Sequence, residues 1–592
     1  MHDASQYIPG GAVGPRMVAL QAAAAVPMPD VPFIHIESSG TILVYGRDEI
    51  AIEAGELLKE HLDVTVLITP PAMIAGRGAT EFPVVKGKIV AARGHFGAFD
   101  LVIDDFAQPE PTLHDGLSYG PARNGAQSRC DVILDLSGGS PLFSAADLRD
   151  GYLRVDPGNR SAMLEAVLKA QDLTGTFEKP RYIAFDASLC AHSRSNIVGC
   201  RRCLDLCPAG AITSAGDRVA IDPNICAGCG QCAAACPTGA ASYAMPPPDA
   251  LLRKLRTLLL TYRAAGGTHP VVLFHDQAHG TPMLDALEQF GDGLPTHVLP
   301  FCVNETTQIG LESIVAGFAY GASAIRLLLR DRPRHDVSGL RQTVGLAEPI
   351  LQGLGFTGPR IAVLETDDPD VLGIALREVP SMPPAPRPAS FQATGGKREV
   401  LRFALRELHR AAPEPVDAIA LPKGAPFGAV EVDADGCTLC LSCVSACPTS
   451  ALRDDPERPM LRFVEDACVQ CGLCQTTCPE QVMTLQPQID FRAATAPARV
   501  LKEEEPFCCI RCNKPFGVKS TIDRVVAKLE GRHWMYPGSS GRTDLIKMCE
   551  DCRVAAVSEA HFDPYGAPDR PLRTTDDYLR ERELADKQGP RR

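Results

Sequence analysis

Cys437-Thr438-Leu439-Cys440-Leu441-Ser442-Cys443-Val444-Ser445-Ala446-Cys447-Pro448 is followed by Cys468-Val469-Gln470-Cys471-Gly472-Leu473-Cys474-Gln475-Thr476-Thr477-Cys478-Pro479. Both runs have gaps of two, two and three residues and end in Cys-Pro. Three thiolates two residues apart wrap a loop around one corner of a cubane iron–sulfur cluster. The fourth lies on the following turn and faces the neighbouring cluster, and the proline, which has no N–H, turns the chain away. One set, C, is therefore Cys437, Cys440, Cys443 and Cys478. The other, D, is Cys468, Cys471, Cys474 and Cys447. Zinc also takes four thiolates, but a tetrahedral site has no need of three consecutive short gaps ending in Cys-Pro.

The pattern occurs twice. Cys226, Cys229, Cys232 and Cys236-Pro237 repeat it in full, whereas Cys200, Cys203 and Cys207-Pro208 lack the first cysteine, whose place is taken by Ile197. Cys190 lies ten residues before Cys200. The simplest reading is a loop inserted between the first and second ligands. Set A is then Cys190, Cys200, Cys203 and Cys236, and set B is Cys226, Cys229, Cys232 and Cys207. The rival reading leaves Cys190 free and set A with three irons or a different fourth ligand. His192 is near enough to ligate but reads as a loop residue.

These runs resemble bacterial-type two-cluster ferredoxins, which implies two [4Fe–4S] clusters per module and four in the chain. The layout also resembles the iron–sulfur subunit of heterodisulfide reductase, where a nucleotide-binding-like βαβ domain is interleaved with ferredoxin insertions. The stretch 271–329 resembles the small delta subunit of methyl-viologen-reducing hydrogenase, with Cys302 in the loop where that family places a cysteine. As a whole the chain resembles large ferredoxin-type proteins found with formate dehydrogenase systems, which implies a role beside a molybdenum or tungsten enzyme. It departs from these families in lacking the dinucleotide glycines and most of the delta subunit's cysteines. Neither a flavin nor that subunit's [2Fe–2S] cluster is expected.

The chain has 23 cysteines, and Cys509, Cys512, Cys549 and Cys552 form two further pairs. Paired two-residue knuckles suit one four-thiolate site, read here as structural zinc. Three cysteines remain: Cys130 and Cys302, read as buried thiols, and Cys508, read as a spectator. So many cysteines in a soluble, cytoplasmic chain point to metal rather than disulfides. A net charge of −13 argues against nucleic acid as a partner. No apolar run reaches the ~18 residues that span a bilayer, so no membrane insertion is expected. Met17 to Met28 is Ala-rich but has no basic stretch before it beyond Arg16, and is not read as a signal peptide.

Between the cysteine runs the sequence reads as α/β. A strand at Ile42–Tyr45, a helix at Glu49–His61 and a strand at Val64–Ile68 begin the first such region, and Lys88–Ala92, Leu101–Ile103 and Val132–Leu136 continue it as strands. The second region has strands at Val271–Phe274, His297–Leu299, Ala324–Leu329 and Ile361–Glu365. The turn after the first strand, Gly46-Arg47-Asp48-Glu49-Ile50-Ala51, keeps one of the three glycines a dinucleotide site needs, and its acidic residues would repel phosphate.

The expected fold is multidomain α/β: Rossmann-like α/β domains interleaved with two ferredoxin-like two-cluster modules, and a C-terminal four-cysteine knuckle domain. The expected order is a disordered lead (1–30), an α/β domain (31–180), a ferredoxin module (181–245), a second α/β domain (246–378), a Pro-rich linker (379–395), a connecting segment (396–430), a second module (431–490), the knuckle domain (500–560) and a tail (561–592). The expected function is electron transfer to or from a redox partner protein such as a formate dehydrogenase-like or heterodisulfide reductase-like enzyme. The alternatives are a non-enzymatic assembly factor for a formate dehydrogenase and a flavin-containing reductase subunit. No acid–base or nucleophile set is evident, so no catalytic residue is assigned.

Overall fold

The first described element is a helix, α1 (Pro15–Ala24), where the sequence reading placed an unstructured lead. Pro15 fits the first helical turn, where a missing N–H costs nothing. Ala19 and Ala23 are buried, and their small side chains let α1 pack closely on the helix Pro248–Ala264. Arg16 anchors the start by donating to the carbonyls of Leu294 and Pro295, at 2.8 and 3.1 Å. The computed structural model describes residues 14–70, 80–110, 118–533, 536, 542–559 and 574–580. Two compact units divide the chain, Met1–Pro426 and Phe427–Arg592.

In the first unit, β1 (Thr41–Gly46), α2 (Asp48–Leu58) and β2 (Asp63–Ile68) form a βαβ start. β3 (Val84–His95), β4 (Ala98–Ala107), β5 (Ala126–Cys130), β6 (Val132–Leu136) and β7 (Tyr152–Arg154) complete a seven-stranded sheet in the order β7-β6-β1-β2-β3-β4-β5. Its β7-to-β3 half is parallel, while β4 and β5 run antiparallel. The wholly parallel, doubly wound sheet implied by a Rossmann-like reading is thus realised only in part. The chain turns back at Gly94, whose φ of +92° leaves no room for a Cβ against the Ala98 carbonyl. Alternation along β1 sends Ile42 and Val44 to one face, under α2 and α3 (Arg160–Gln171). Leu43 and Tyr45 face the other way, toward Phe99, Phe143 and Tyr152.

The first module follows, with two short helices, α4 (Arg202–Leu206) and α5 (Gln231–Ala235). Strands Ile183–Phe185 and Ala241–Tyr243 pair antiparallel and close it. Next come α6 (Pro248–Ala264), β8 (Val271–Asp276), α7 (Gly280–Phe290), β9 (Val298–Val303), α8 (Leu311–Ala319), β10 (Ala324–Leu329), α9 (Ser338–Gly353) and β11 (Ile361–Glu365). These four strands form a parallel sheet in the order β9-β8-β10-β11. The helix α10 (Pro369–Arg377) follows. The Pro-rich stretch 379–395 is a packed strap rather than a spacer. Met382, Ala385, Ala389 and Ala393 are buried, and Arg360 donates to the Pro383 carbonyl at 2.7 Å. The helix α11 (Lys397–Arg410) follows, and Glu414 beyond it donates its N–H to the Leu354 carbonyl at 3.2 Å.

In the second unit, Gly428–Val432 pairs antiparallel with Met483–Asp490. The helices α12 (Ser442–Ala446) and α13 (Leu473–Thr477) repeat the two-helix plan. A hairpin of Pro506–Cys508 and Pro515–Val518 leads to α14 (Lys519–Leu529), and α15 (Glu550–Glu559) lies further on. Arg524 on α14 pairs with Glu480 at 2.6 Å, and Thr521 bonds the Thr438 carbonyl, so this helix packs on the cysteine module. Trp534, Met535 and most of the expected tail lie outside the described residues. No helix among the described residues is long and apolar enough to cross a membrane.

Candidate metal centres

The backbone repeats one shape in three of the four cysteine loops. The second and fourth residues after the first cysteine are left-handed: Gly228 and Gly230 (φ +81° and +77°), Leu439 and Leu441 (+49° and +58°), and Gln470 and Gly472 (+52° and +84°). This conformation curls the chain so that successive thiols converge, and it aims backbone N–H groups inward. Leu439 N donates to Cys437 Sγ at 3.5 Å. Behind the Cys-Pro turns, Ala211 N reaches Cys207 Sγ at 3.3 Å and Ala241 N reaches Cys236 Sγ at 3.5 Å.

The fourth loop breaks the pattern. Between Cys190 and Cys200 the chain makes a small hairpin, Ser193–Arg194 against Ile197–Val198, turning at Ser195 and Asn196, both at positive φ. Ile197 is therefore part of the insertion. His192 is buried with both ring nitrogens engaged, Nδ1 at 3.0 Å from the Cys200 carbonyl and Nε2 at 2.8 Å from Ser214 Oγ. It braces the loop.

Cys190, Cys200, Cys203 and Cys236 line one cavity, walled by Phe185 and Val219. Cys437, Cys440, Cys443 and Cys478 line another, with Leu461 and Met483. The remaining thiols also lie close enough to one another to act on each other's charge, with Cys203 also acting on Cys232 and Cys443 on Cys474. Burial, then the charges of Cys229, Cys226 and Cys207, push the Cys232 thiol far up. Burial and then Cys468, Cys471 and Cys447 push Cys474 up. Cys203, Cys229 and Cys443 each rise to about 12, first through burial and then chiefly through neighbouring thiols. Thiolates crowded in an apolar cavity are unfavourable without a cation among them. Each expected donor set is all sulfur and suited to thiophilic iron, largely buried apart from the exposed Cys440, and loading it would release protons.

Set B is clamped by residues that sequence reasoning passed over. Thr307 donates to the Cys229 carbonyl, Tyr243 to the Gly228 carbonyl and Asn304 to the Tyr243 hydroxyl, each at 2.6 Å. Gln231 accepts from Gly339 N at 2.9 Å and donates to the Asp336 carbonyl. Lys397, buried, donates to the Ala233 and Ala234 carbonyls of α5 and pairs with Glu312 at 3.5 Å. The loop thus rests against the ends of β9 and β10. These contacts join residues far apart in sequence, and no local periodicity announces them.

In the second unit, one sulfur from each of Cys509, Cys512, Cys549 and Cys552 lies within 4.8 Å of the others. Cys512 and Cys549 approach to 3.6 Å. Burial raises the Cys509 thiol, but donors from Cys549, Cys512 and Arg511 outweigh it and pull it to about 6. Such a group fits a single thiophilic ion. Cys508 is exposed and outside it. Cys130 is buried and its thiol rises to about 12, mainly through burial. Cys302, read as buried, is exposed. It sits on β9, an edge strand, at a position that alternates outward.

Residues 198–240 match a 4Fe-4S dicluster domain, and residues 436–483 match a second 4Fe-4S dicluster domain. The first match begins after Cys190, beyond the hairpin's main span. No curated protein matches the chain. Two ferredoxin modules, and with them an iron–sulfur electron-transfer role, are the common ground of spacing, geometry and family match.

Proposed function

We propose that the chain holds four [4Fe–4S] clusters and relays electrons to or from a partner oxidoreductase of the formate dehydrogenase-like or heterodisulfide reductase-like kind. The ligands are sets A to D, with Cys190 completing set A. Each cluster supplies, when bound, a one-electron carrier with a potential somewhere within about −700 to +450 mV. The chain's residues fix where in that range. Apolar walls exclude water, and N–H donors to Cys207, Cys236 and Cys437 favour the reduced, more negative state. The α/β domains act as scaffold, and the C-terminal thiols hold one structural zinc. The observation that supports this reading is that Cys190, Cys200, Cys203 and Cys236 line one cavity and Cys437, Cys440, Cys443 and Cys478 another.

The test is anaerobic iron analysis with electron paramagnetic resonance. The expected content is about sixteen irons per chain, four per cubane. Cys190→Ser should remove one cluster's signal or turn it into a three-iron signal on oxidation, and Cys130→Ser should do neither. A content near half of that, with no gain on reconstitution, would sink the four-cluster reading.

A further inference from the structure

A crevice of about 810 Å³ with no cysteine in its lining opens in the first α/β domain. It lies at the C-terminal ends of β1, β2 and β6. The chain leaves β1 for β2 on one side and later returns to β6 on the other, so β1 and β6 flank a topological switch point. Loops leaving adjacent parallel strands in opposite directions part there, and open α/β sheets bind ligands in the gap. The volume falls within the range of small-molecule sites.

Its lining divides by chemistry. Arg47 and Lys88 supply positive charge, and Thr69, Ser137 and Ser140 supply hydroxyls. Ile89, Val90, Pro141 and Leu142 supply an apolar wall. Neither Arg47 nor Lys88 has an ion-pair partner among the described residues. Two cations with no ion-pair partner among the described residues share one concavity of a chain with net charge −13, and bring positive charge to it against the background.

The Ser137–Ser140 turn is held in place from beneath. Asp135, 1 % exposed, accepts from Ser137 N at 3.0 Å and from the Tyr152 hydroxyl at 2.6 Å. Ser137 Oγ accepts from Gly139 N at 3.1 Å, and Arg154 donates to the Gly139 carbonyl at 2.6 Å. The turn therefore presents its hydroxyls without first having to order.

The turn into α2 narrows the choice of ligand. A Cβ on Gly46 would stand 2.8 Å from Ala51 Cβ, so strand and helix are in the close contact that a dinucleotide fold makes. Asp48, however, replaces the glycine over which a pyrophosphate would lie. Arg47, at the start of α2, and Lys88 are the cations in the lining that a phosphate in this crevice would meet. We propose that the crevice binds a small phosphorylated molecule with an apolar body, of mononucleotide size, its phosphate on Arg47 and Lys88 and its body on the Ile89–Leu142 wall.

The test is calorimetric titration of the full-length, anaerobically purified protein with ADP, and in parallel with inorganic phosphate. ADP should bind, and at least tenfold more tightly than phosphate. Arg47→Ala and Lys88→Glu should each weaken ADP binding at least tenfold, while iron content and far-UV circular dichroism stay as in the parent. Arg160→Ala, on the outer face of α3, should leave binding unchanged. The proposal is overturned by absence of ADP binding, by ADP binding no more tightly than phosphate, or by binding that either crevice variant leaves intact.

Discussion

Gly230 and Gly472 occupy equivalent places in two cysteine loops, both left-handed, yet their surroundings differ. A Cβ on Gly230 would stand 2.6 Å from Gln308 Cβ and 2.9 Å from Gln308 Cα, and backbone cannot swing aside. A Cβ on Gly472 meets nothing within 4 Å. Gly472→Ala should therefore cost only the left-handed penalty, about 1–2 kcal/mol. Gly230→Ala adds overpacking of about 1–3 kcal/mol and should loosen set B. Thermal unfolding with iron retention checks this, and equal losses in the two variants would contradict it. At this scale the sequence was most informative about the spacing of the cysteines. A cluster loop needs only short covalent spacing, which is visible in Cys226-Ala227-Gly228-Cys229 as it stands. The clamp of Tyr243, Asn304 and Thr307 was invisible, because hydrogen bonds between distant segments leave no local pattern. Cys302 was misread for a related reason: which face of a strand is covered depends on whether that strand is central or at an edge.

Elements show where periodicity suffices and where it does not. The strands Ala324–Leu329, buried throughout, and Ile361–Glu365, an edge strand with only Ile361 buried, were legible to the residue because both are nearly continuous apolar runs. The antiparallel half of the first sheet was not, because period-two alternation marks a strand without marking its direction. α1 was lost in an Ala-rich lead whose burial depends on a helix more than two hundred residues away. The four-thiolate site also changes in character once its elements are placed. α14 lies between its two cysteine pairs and is tied to the cysteine module by Arg524 and Lys528 on Glu480. A metal held there would pin a segment against the module instead of holding a free-standing domain. The full-length protein should release about one zinc when its thiols are blocked by a mercurial and the ion is read with a chromogenic chelator. Cys549→Ser should abolish that zinc and leave the iron content unchanged. Zinc persisting in the variant, or iron falling with it, would move the site into another class.

For the whole molecule, the division at Pro426 has a consequence for how the clusters are held. Sets A and B are complete within Met1–Pro426, and sets C and D within Phe427–Arg592. The second unit also has its own core, in which Val430, Leu452, Leu461, Phe463 and Met483 pack around the cysteines themselves. In so small a core the thiols are part of the packing, so cluster binding and folding are coupled, as they are for other metal sites whose ligands do not preassemble in the unfolded chain. A chain comprising residues 427–592 should accordingly fold on anaerobic reconstitution and take up about eight irons, two cubanes' worth. Without iron and sulfide it should be expanded and sensitive to protease, because the cavity lined by Cys437, Cys440, Cys443 and Cys478 then leaves thiols, two of them buried, facing one another. The measurements are iron content, the visible thiolate-to-iron absorbance and limited proteolysis, each with and without reconstitution. A fragment that folds equally well in both states would show that the apolar residues alone carry this unit. A fragment that binds fewer than about four irons would show that its ligand sets need the rest of the chain.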